Sequence, residues 1–565
     1  MSRPIARSLA LLATLITLPH VSASAQQRGT PVARVTAAIR PEYVWAPLRF
    51  LSDDLLEGRG TGARGGELAV QYIASEFMAL GLEPAGDSGS YFQRVPIVTQ
   101  NPAATLEYTA GGASRPLRFR QDFVAWSEQI PAAPPAERQG AASSSTVEAT
   151  GEVVFVGFGI SAPQYQWDDY KGADLSGKIL LMLVNDPGLR DSTLFRGRIL
   201  TYYGRWTYKL EEAARRGAAG VLLVHNDTMA TYGWNTVVNS WTGDQVRLIK
   251  PNTSLTWAGW MTQDAAAAML RERNLDLARL MNAAAQRDFQ PVSTGIAVHG
   301  SVTSAVRRTT TANVVARMPG SDPALRDQVV VIGAHWDHHG ISRPVNGDSI
   351  LNGALDNASG VAVMLAVADA FKRAGVAPRR SLLFVSFTAE EKGLLGSQAF
   401  AESPPVPLRD IAAILNIDGA NLWGTTRDIG ALGTDQSALG GVFGQAARAE
   451  GLSVTTSVDA LKSGSFFRSD HFPLAKVGVP GLSFQSGEDF VGRAREWGQQ
   501  QREEYTRLRY HQPGDEILPW YTVDGALQQA RVLARVAWLV AGNPRQPAWN
   551  PTSEFRAAGE RRVGR

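Results

Sequence analysis

The hydrophobic and polar positions divide the chain into three stretches with different periodicities. From about residue 35 to 94 the apolar residues recur at helical spacing. From about 148 to 295, short runs rich in β-branched residues, such as Lys178 to Val184, predict strands. From Asn313 onward, longer apolar runs alternate with amphipathic segments. The chain therefore predicts two globular units, with the regular alternation confined to the C-terminal half.

The C-terminal half predicts an α/β fold. Gln328 to Ala334, Arg380 to Phe387 and Ile411 to Ile417 are nearly continuous apolar runs, typical of strands buried on both faces. A helix is predicted between the first two, from Val361 to Lys372. This order predicts a mixed, mostly parallel sheet with helices on both faces. In such a sheet the functional site forms beyond the carboxyl ends of the strands.

Two other segments are predicted to connect structure rather than to carry chemistry. Gly60, Gly62 and Gly65 satisfy a dinucleotide-binding spacing, but they follow a charged helical stretch instead of a buried strand. We therefore interpret them as a glycine turn before a helix. Residues 129 to 151 are rich in Ala, Pro and Ser and predict a linker.

The middle block contains no cluster of reactive side chains. Its pattern from Gly204 through Lys209 to Gly217 and Val221 resembles the protease-associated (PA) domain, a small β-rich insert. We expect residues 26–140 and 296–545 to form one domain, split by an inserted PA domain at 141–295. Residues 1–25 are expected to be a signal peptide, and the polar, Arg-rich residues 546–565 a flexible tail.

The N-terminal segment has the layout of a secretory leader. Arg3 and Arg7 flank the start of an apolar run that ends near Leu18, and Ala23-Ser24-Ala25 offers a cleavage site. No later run reaches the roughly 18 apolar residues of a membrane helix, so no membrane span is predicted. The chain has 0 cysteines and a formal net charge of +3, which excludes a thiolate metal site and gives no basic patch for nucleic acid. We expect an exported protein, periplasmic or extracellular.

Polar side chains appear where the predicted strands end. The first run closes on His335 and Asp337, the second on Glu390 and Glu391, and the third on Asp418. Carboxylates packed together would repel each other, and burial would raise their pKa values, unless divalent cations offset the charge. Imidazoles and carboxylates are the expected zinc ligands in a chain without cysteine. The pattern therefore predicts a metal centre at this edge of the sheet.

These residues resemble one known family, the clan MH co-catalytic dizinc exopeptidases, which include secreted bacterial leucine aminopeptidases, glutamate carboxypeptidase and the transferrin receptor. The resemblance covers Leu51 to about Gly542 apart from the insert, and six motifs occur in the family's order. They are Gly333-Ala334-His335-Trp336-Asp337, Leu355-Asp356-Asn357-Ala358-Ser359-Gly360, Ala389-Glu390-Glu391, Asn416-Ile417-Asp418-Gly419, Ser469-Asp470-His471 and Tyr510-His511-Gln512-Pro513-Gly514-Asp515.

The resemblance implies a role for each matched residue. It implies two Zn²⁺ ions, with Mn²⁺ or Co²⁺ as possible occupants of the same ligands. Asp356 would bridge both metals and would be followed by a cis peptide bond to Asn357. Glu390 would be the general base that takes a proton from a metal-bridging water, and Asp337 would orient a metal-bound histidine. The remaining implied ligands are His335 and Asp418 for one metal, and Glu391 and His511 for the other.

Roles are also expected for other residues in or near these motifs. Tyr510 could hydrogen-bond the oxyanion, and His471 is expected near the substrate rather than on the metal. His338 and His339 follow the first motif in a glycine-containing loop, and we expect surface roles for them. The aromatic residues Trp206 and Trp234 of the insert could line a substrate entrance, although a core position is the commoner one.

The leading functional prediction is an exported metallopeptidase that removes N-terminal residues from peptides or small proteins. A carboxypeptidase of the same family is an alternative, and it should carry an arginine pair, for which Arg468 and Arg509 are the candidates. A glutaminyl cyclase-like acyltransferase is less favoured, because that subgroup is typically single-metal. A non-catalytic receptor-like protein is also less favoured, because such relatives lose ligands or the base. Side-chain preference and oligomeric state stay open.

Overall fold

The computed structural model describes residues 29–132 and 143–564. The predicted signal peptide lies outside the described residues. The helices are Pro31–Ala37, Glu42–Leu51, Arg64–Ala79, Trp206–Arg215, Asp227–Ala230, Trp234–Trp241, Gln263–Arg271, Leu277–Ala283, Ser359–Ala374, Leu395–Glu402, Leu439–Ala449, Val458–Lys462, His471–Lys476, Trp497–Leu508, Asp524–Gly542 and Arg556–Arg562. The strands are Glu83–Pro84, Phe92–Ala110, Ala113–Pro116, Phe123–Ser127, Ser143–Phe155, Ser161–Ala162, Trp167–Asp168, Ile179–Leu183, Gly220–His225, Gln245–Leu248, Trp257–Thr262, Val292–Met318, Val329–His335, Gly340–Val345, Asp348–Leu351, Ser381–Phe387, Ile411–Ile417, Asp428–Leu432, Ser453–Thr455 and Gly481–Gln485.

The C-terminal half forms the predicted α/β sheet. Val329–His335 lies between Ser381–Phe387 and Ile411–Ile417 and runs parallel to both. Gly481–Gln485 continues the parallel run beside Ile411–Ile417, and Val292–Met318 closes the other side antiparallel. Every residue of the three central strands is buried, which explains their unbroken apolar sequence. The fold class predicted from the sequence is confirmed.

Helices cover the sheet and complete its core. The helix Ser359–Ala374 is predicted from Val361 to Lys372, and its cap residue Gly375 has φ +61°, the left-handed conformation that favours glycine. The helical stretch Ala354–Ala374 is the one part of the described chain long and apolar enough to cross a membrane, and it is buried entirely inside the fold. It packs against Glu42–Leu51 and Asp524–Gly542, as a core helix does.

Two long strands connect the α/β sheet of the C-terminal half to a second core. Phe92–Ala110 and Val292–Met318 pair antiparallel over 19 residue positions. Beyond them lie Ser143–Phe155, Ile179–Leu183, Gly220–His225 and Trp257–Thr262, paired in that order and all parallel to one another. The second core also takes residues from 104 to 126, which precede the predicted insert. The identity of this unit as a PA domain stays a prediction.

Two expectations about irregular segments need correction. Ser143–Phe155 is a strand, although residues 129–151 were expected to be a linker. Its exposed Ser and Thr alternate with half-buried positions and pair with Val292–Met318, so a polar composition conceals a strand of period two. Residues 546–564 are not a flexible tail, because Trp549 and Phe555 are buried in a hydrophobic cluster and Arg556–Arg562 is helical.

Candidate metal centre

The carboxyl ends of the three central strands bring the predicted ligands together. His335 ends its strand, while Glu390 and Asp418 follow the two neighbouring strands. Asp356 comes from the turn before the helix Ser359–Ala374, and its peptide bond to Asn357 is cis, as expected. His511 approaches from a loop after Trp497–Leu508.

One group of donors is centred on His335. Its Nε2 lies 3.3 Å from Oδ1 of Asp356 and 3.3 Å from Oδ1 of Asp418. The other ring nitrogen, Nδ1, is 3.1 Å from the backbone carbonyl oxygen of Asp337. A proton on Nδ1 donated to that carbonyl leaves Nε2 free to bind a cation.

The second group of donors is centred on Glu391 and His511. Nε2 of His511 lies 3.2 Å from Oε2 of Glu391 and 3.3 Å from Oδ2 of Asp356. The two oxygens of Asp356 therefore face different groups, Oδ1 toward His335 and Oδ2 toward His511. This is the arrangement that a carboxylate bridging two metals requires.

The spacing of the donors fits zinc. Ligands at about 2.0–2.1 Å from a tetrahedral zinc ion are separated from each other by about 3.3 Å. The donor separations in both groups are 3.2–3.3 Å. Nε2 of His511 is also a buried atom without a hydrogen-bond partner among the described residues, as expected of a nitrogen directed toward an ion. The residues present therefore fit a divalent metal at each group.

Glu390 lies beside both groups without belonging to the second one. It forms a possible donor set with His335 and Asp418, and it lines the cavities on either side of the centre. Burial raises the pKa of Glu390 well above its ordinary value, and the neighbouring Asp418 and Glu391 raise it further against the opposing effect of His335. A carboxyl group with a raised pKa is suited to accepting and releasing a proton near neutral pH.

Asp337 supports the site differently from the expectation. Its carboxylate is 3.9 Å from Nδ1 of His335, so the backbone carbonyl is the closer acceptor. The carboxylate instead accepts hydrogen bonds from the backbone N–H of Glu390 at 3.0 Å and from the hydroxyl of Thr61 at 3.0 Å. Asp337 therefore fixes the strand end that carries Glu390, in addition to lying behind His335.

The two predicted substrate residues lie in different surroundings. Tyr510 lines both cavities with Glu390, and its ring stacks on His511 at 3.7 Å between centroids. His471 is fully buried against Phe466 and lines neither cavity, so its placement does not support the expected substrate contact. Burial lowers the pKa of His471 to about 3.

The expectation of surface roles for His338 and His339 is wrong. His338 is fully buried with Nδ1 2.7 Å from Oε1 of Glu391, and Nε2 of His339 is 3.2 Å from Oε2 of the same residue. The loop turns back over the site because the N–H of His338 donates to the carbonyl of Arg59 at 3.2 Å. Burial alone would raise the pKa of Glu391, but these histidines and His511 hold it well below its ordinary value.

Sequence reasoning also missed three supports of the ligands. The fully buried Asp515 accepts hydrogen bonds from the backbone N–H of Leu355 at 3.0 Å and of Asp356 at 3.1 Å. The hydroxyl of Ser469 donates to Oδ2 of Asp418 at 2.6 Å. The guanidinium of Arg59 donates to the carbonyls of Trp336, Asn352 and Gly353 at 2.6–2.9 Å, joining the two ligand loops. Asp515 and Ser469 belong to the matched motifs, whereas nothing in the sequence distinguishes Arg59 from other arginines.

Comparison with known proteins agrees with this geometry. The model of Peptidase family M28 matches residues 313–533, which include every predicted metal ligand. This part of the chain is a peptidase family M28 domain. Leupeptin-inactivating enzyme 1 of Streptomyces exfoliatus is 30% identical to the chain over 243 residues, covering 42% of the chain and 50% of that protein. A probable zinc metalloprotease of Pyrenophora tritici-repentis is 27% identical over 268 residues, covering 41% and 58%.

The chain thus spans only about half the length of the curated relatives that it matches. Among solved structures, the aminopeptidase from Aneurinibacillus sp. strain AM-1 is 21% identical with a TM-score of 0.43, and the match covers 92% of this chain and 98% of that one. The M28 domain and its donor geometry, rather than this distant likeness, carry the functional argument below.

Proposed function

We propose that the protein is a two-zinc aminopeptidase in which Glu390 is the general base. The observation that carries this proposal is the pair of donor groups that share Asp356, with Glu390 beside them. His335 and Asp418 would hold one ion, Glu391 and His511 the other, and Asp356 both. When bound, the zinc ions would polarise the scissile carbonyl and lower the pKa of the attacking water.

The residues around the metals would carry the proton transfers. Glu390 would take a proton from the attacking water while the water oxygen bonds to the carbonyl carbon. As the carbon–nitrogen bond breaks, Glu390 would return the proton to the leaving amine. Tyr510 lies between the two cavities and would donate its hydroxyl proton in a hydrogen bond to the tetrahedral oxyanion.

The cavity on the Asp418 side supports an aminopeptidase over an endopeptidase. It has a volume of about 380 Å³ and is lined by Asp356, Glu390 and Asp418 together with Arg468 and Arg502. The amides of Asn421 and Gln485 line the same cavity. Glu390 is the one of these three carboxylates not assigned to a metal, and it and the two side-chain amide oxygens would accept hydrogen bonds from a free N-terminal ammonium group; a volume of this size suits one terminal residue.

The proposal is tested with aminoacyl substrates that release a chromophore. Hydrolysis should occur with a free α-amino group, stop when the amine is acetylated, stop after chelation and return on adding Zn²⁺. Equal hydrolysis of the acetylated substrate would contradict the aminopeptidase assignment. Hydrolysis that survives removal of all metal would contradict the metal mechanism.

A carboxypeptidase is the second candidate, and two arginines favour it. Arg468 lines both cavities, and Arg205 joins it in the cavity toward the second core. Nε of Arg205 is buried without a hydrogen-bond partner among the described residues, and burial with the nearby Arg468 lowers its pKa to about 10. The other predicted arginine, Arg509, is instead paired with Glu504 at 3.0 Å. A substrate carboxylate would satisfy the Arg205–Arg468 pair.

Blocking the other end of the substrate separates the two candidates. A carboxypeptidase loses activity when the peptide ends in an amide, whereas an aminopeptidase retains it. Arg468→Gln should raise the KM of a carboxypeptidase for free-acid peptides only, with Arg509→Gln as the matched control. Unchanged KM in Arg468→Gln would remove the case for this candidate.

We also propose that the protein is exported. Support comes from the charged, apolar and small-residue order of residues 1–25. Fractionation of cells that express the full chain, with N-terminal sequencing of the product, tests this. A cytoplasmic product that retains residues 1–25 would contradict it.

A further inference from the structure

Three histidines approach the two carboxylate oxygens of Glu391. The buried His338 approaches Oε1 with its Nδ1 at 2.7 Å, in a hydrogen bond. Nε2 of His339 and Nε2 of His511 both lie 3.2 Å from Oε2. One oxygen of Glu391 is therefore occupied by a hydrogen bond, while the other is the oxygen that faces His511, a predicted metal ligand.

His339 has the same local signature as His511. Nε2 of each ring is buried, and neither has a hydrogen-bond partner among the described residues, although a carboxylate oxygen is 3.2 Å away. The N–H directions therefore miss that oxygen. Donor atoms that lie close to one oxygen without hydrogen-bonding to it have the arrangement of ligands around a cation. His339, Glu391 and His511 also form a group whose donor atoms lie within 4.8 Å of one another.

We propose that His339 is a further protein ligand of the metal held by Glu391 and His511. The inference rests on the proposed two-metal function and makes its two sites unequal. The Glu391 site would have two imidazoles, from His339 and His511, whereas the Asp418 site would have one, from His335. His338 also falls in a possible donor group with Asp356 and Glu391, and its Nε2 is likewise buried without a hydrogen-bond partner among the described residues. We assign it a positioning role, because its Nδ1 hydrogen-bonds the far oxygen of Glu391.

One neighbour of His339 must adjust for this ligation. Nζ of Lys392 lies 3.3 Å from Nδ1 of His339. Binding of a metal through Nε2 places a proton on Nδ1, which then cannot accept a hydrogen bond from the ammonium group. Lys392 is partly exposed and adjoins a glycine, so its side chain can turn toward solvent.

The asymmetry predicts stepwise metal binding. The site with the additional imidazole should fill first and release its ion last. Competitive titration of metal-free protein with Zn²⁺ against a chromophoric chelator measures both affinities. We expect two sites in the parent, and in His339→Gln a loss of at least about tenfold in the affinity of the tighter one. The matched control is His299→Gln, which removes an imidazole that makes an exposed contact with Thr150 on the neighbouring strand.

X-ray absorption of the zinc-loaded parent tests the inference without any substitution. The scattering should correspond to three imidazoles shared by two zinc ions, and to two imidazoles in His339→Gln. Two imidazoles in the parent, or unchanged zinc affinities in a folded His339→Gln protein, would overturn the inference while leaving zinc-dependent hydrolysis intact. A parent that binds no zinc would instead contradict the proposed function itself.

Discussion

At the scale of single residues, the two adjacent glutamates lie in different surroundings. Glu391 contacts three imidazoles, whereas Glu390 faces the cavities on both sides of the centre. Glu390→Gln keeps the size and removes the proton acceptor, so we expect kcat to fall about 10²–10⁴-fold with zinc content unchanged. Rate measurement together with metal analysis checks this. Glu560→Gln, which removes an exposed pair with Arg556, is the control and should match the parent.

His471 gives a second prediction at this scale, through pH. Its ordinary pKa is about 6.5 in the unfolded chain, and burial lowers it to about 3 in the folded protein. The unfolded state therefore binds the proton more readily, and the stability that His471 contributes is lost as pH falls below about 6.5. His471→Leu should remove this pH dependence. Between pH 7 and pH 5 the unfolding free energy of the parent should therefore fall more than that of the variant. A difference between the two proteins that stays constant over that range would contradict it.

Residue types and positions explain which site residues the sequence could predict. The five predicted ligands and Glu390 stand at strand ends or in motifs of fixed order, so their convergence follows from the sheet. His338 and His339 lie in a loop whose path depends on the carbonyl of Arg59, almost 280 positions earlier, and no periodicity encodes that contact. The glycines that resemble a nucleotide motif serve packing instead, since a Cβ on Gly65 would lie 1.7 Å from the carbonyl oxygen of Leu56.

At the scale of elements, Arg59 joins segments that are distant in the sequence. Its guanidinium reaches the carbonyl groups of Leu51, Trp336, Asn352 and Gly353. Lysine has a single ammonium group and cannot donate hydrogen bonds to all of these carbonyl groups at once. Arg59→Lys therefore leaves buried carbonyls unpaired. We expect a loss of about 3 kcal/mol in unfolding free energy and weaker zinc binding. Arg64→Lys, at an exposed neighbouring position, should change neither quantity in denaturant and zinc titrations.

The second core has a buried charge network of its own. Lys209 is fully buried beside Asp169 and Asp186, donates to the carbonyl of Asn185 at 3.0 Å, and has its pKa lowered to about 7 by burial. Lys209→Met leaves two buried carboxylates without a cation and should cost about 3–5 kcal/mol. Chemical unfolding measures this. Lys178→Met is the matched control, because its partly exposed pair with Glu152 is worth about 1 kcal/mol or less.

Elements also differ in how far the sequence predicts them. The three central strands are predicted to within one residue because both of their faces are apolar. The strand Ser143–Phe155 is hard to predict because its polar Ser and Thr residues include exposed positions, although the strand is paired on both sides. The membership of residues 104–126 in that core depends on long-range pairing, which local patterns do not record.

At the scale of the whole molecule, metal binding should contribute to stability. Asp356, Glu390, Glu391 and Asp418 converge on one edge of the sheet, and a cation relieves their repulsion only in the folded state. Zinc at a hundredfold excess over its Kd should stabilise the fold by about 2.7 kcal/mol per site. Thermal unfolding with and without Zn²⁺ measures the effect. Superimposable curves would contradict it, and Asp356→Asn should largely abolish the response.

The ladder between Phe92–Ala110 and Val292–Met318 has a mechanical consequence. This continuous pair of strands extends from one core into the other. It should therefore hold the two sides of the cavity that is lined by Trp206 and Tyr510 at a fixed separation. Widening the cavity would require breaking backbone hydrogen bonds between these two strands, rather than rotating the two cores about a flexible linker. If the proposed peptidase activity is correct, the cleft should admit thin, extended chain ends and exclude folded protein surfaces.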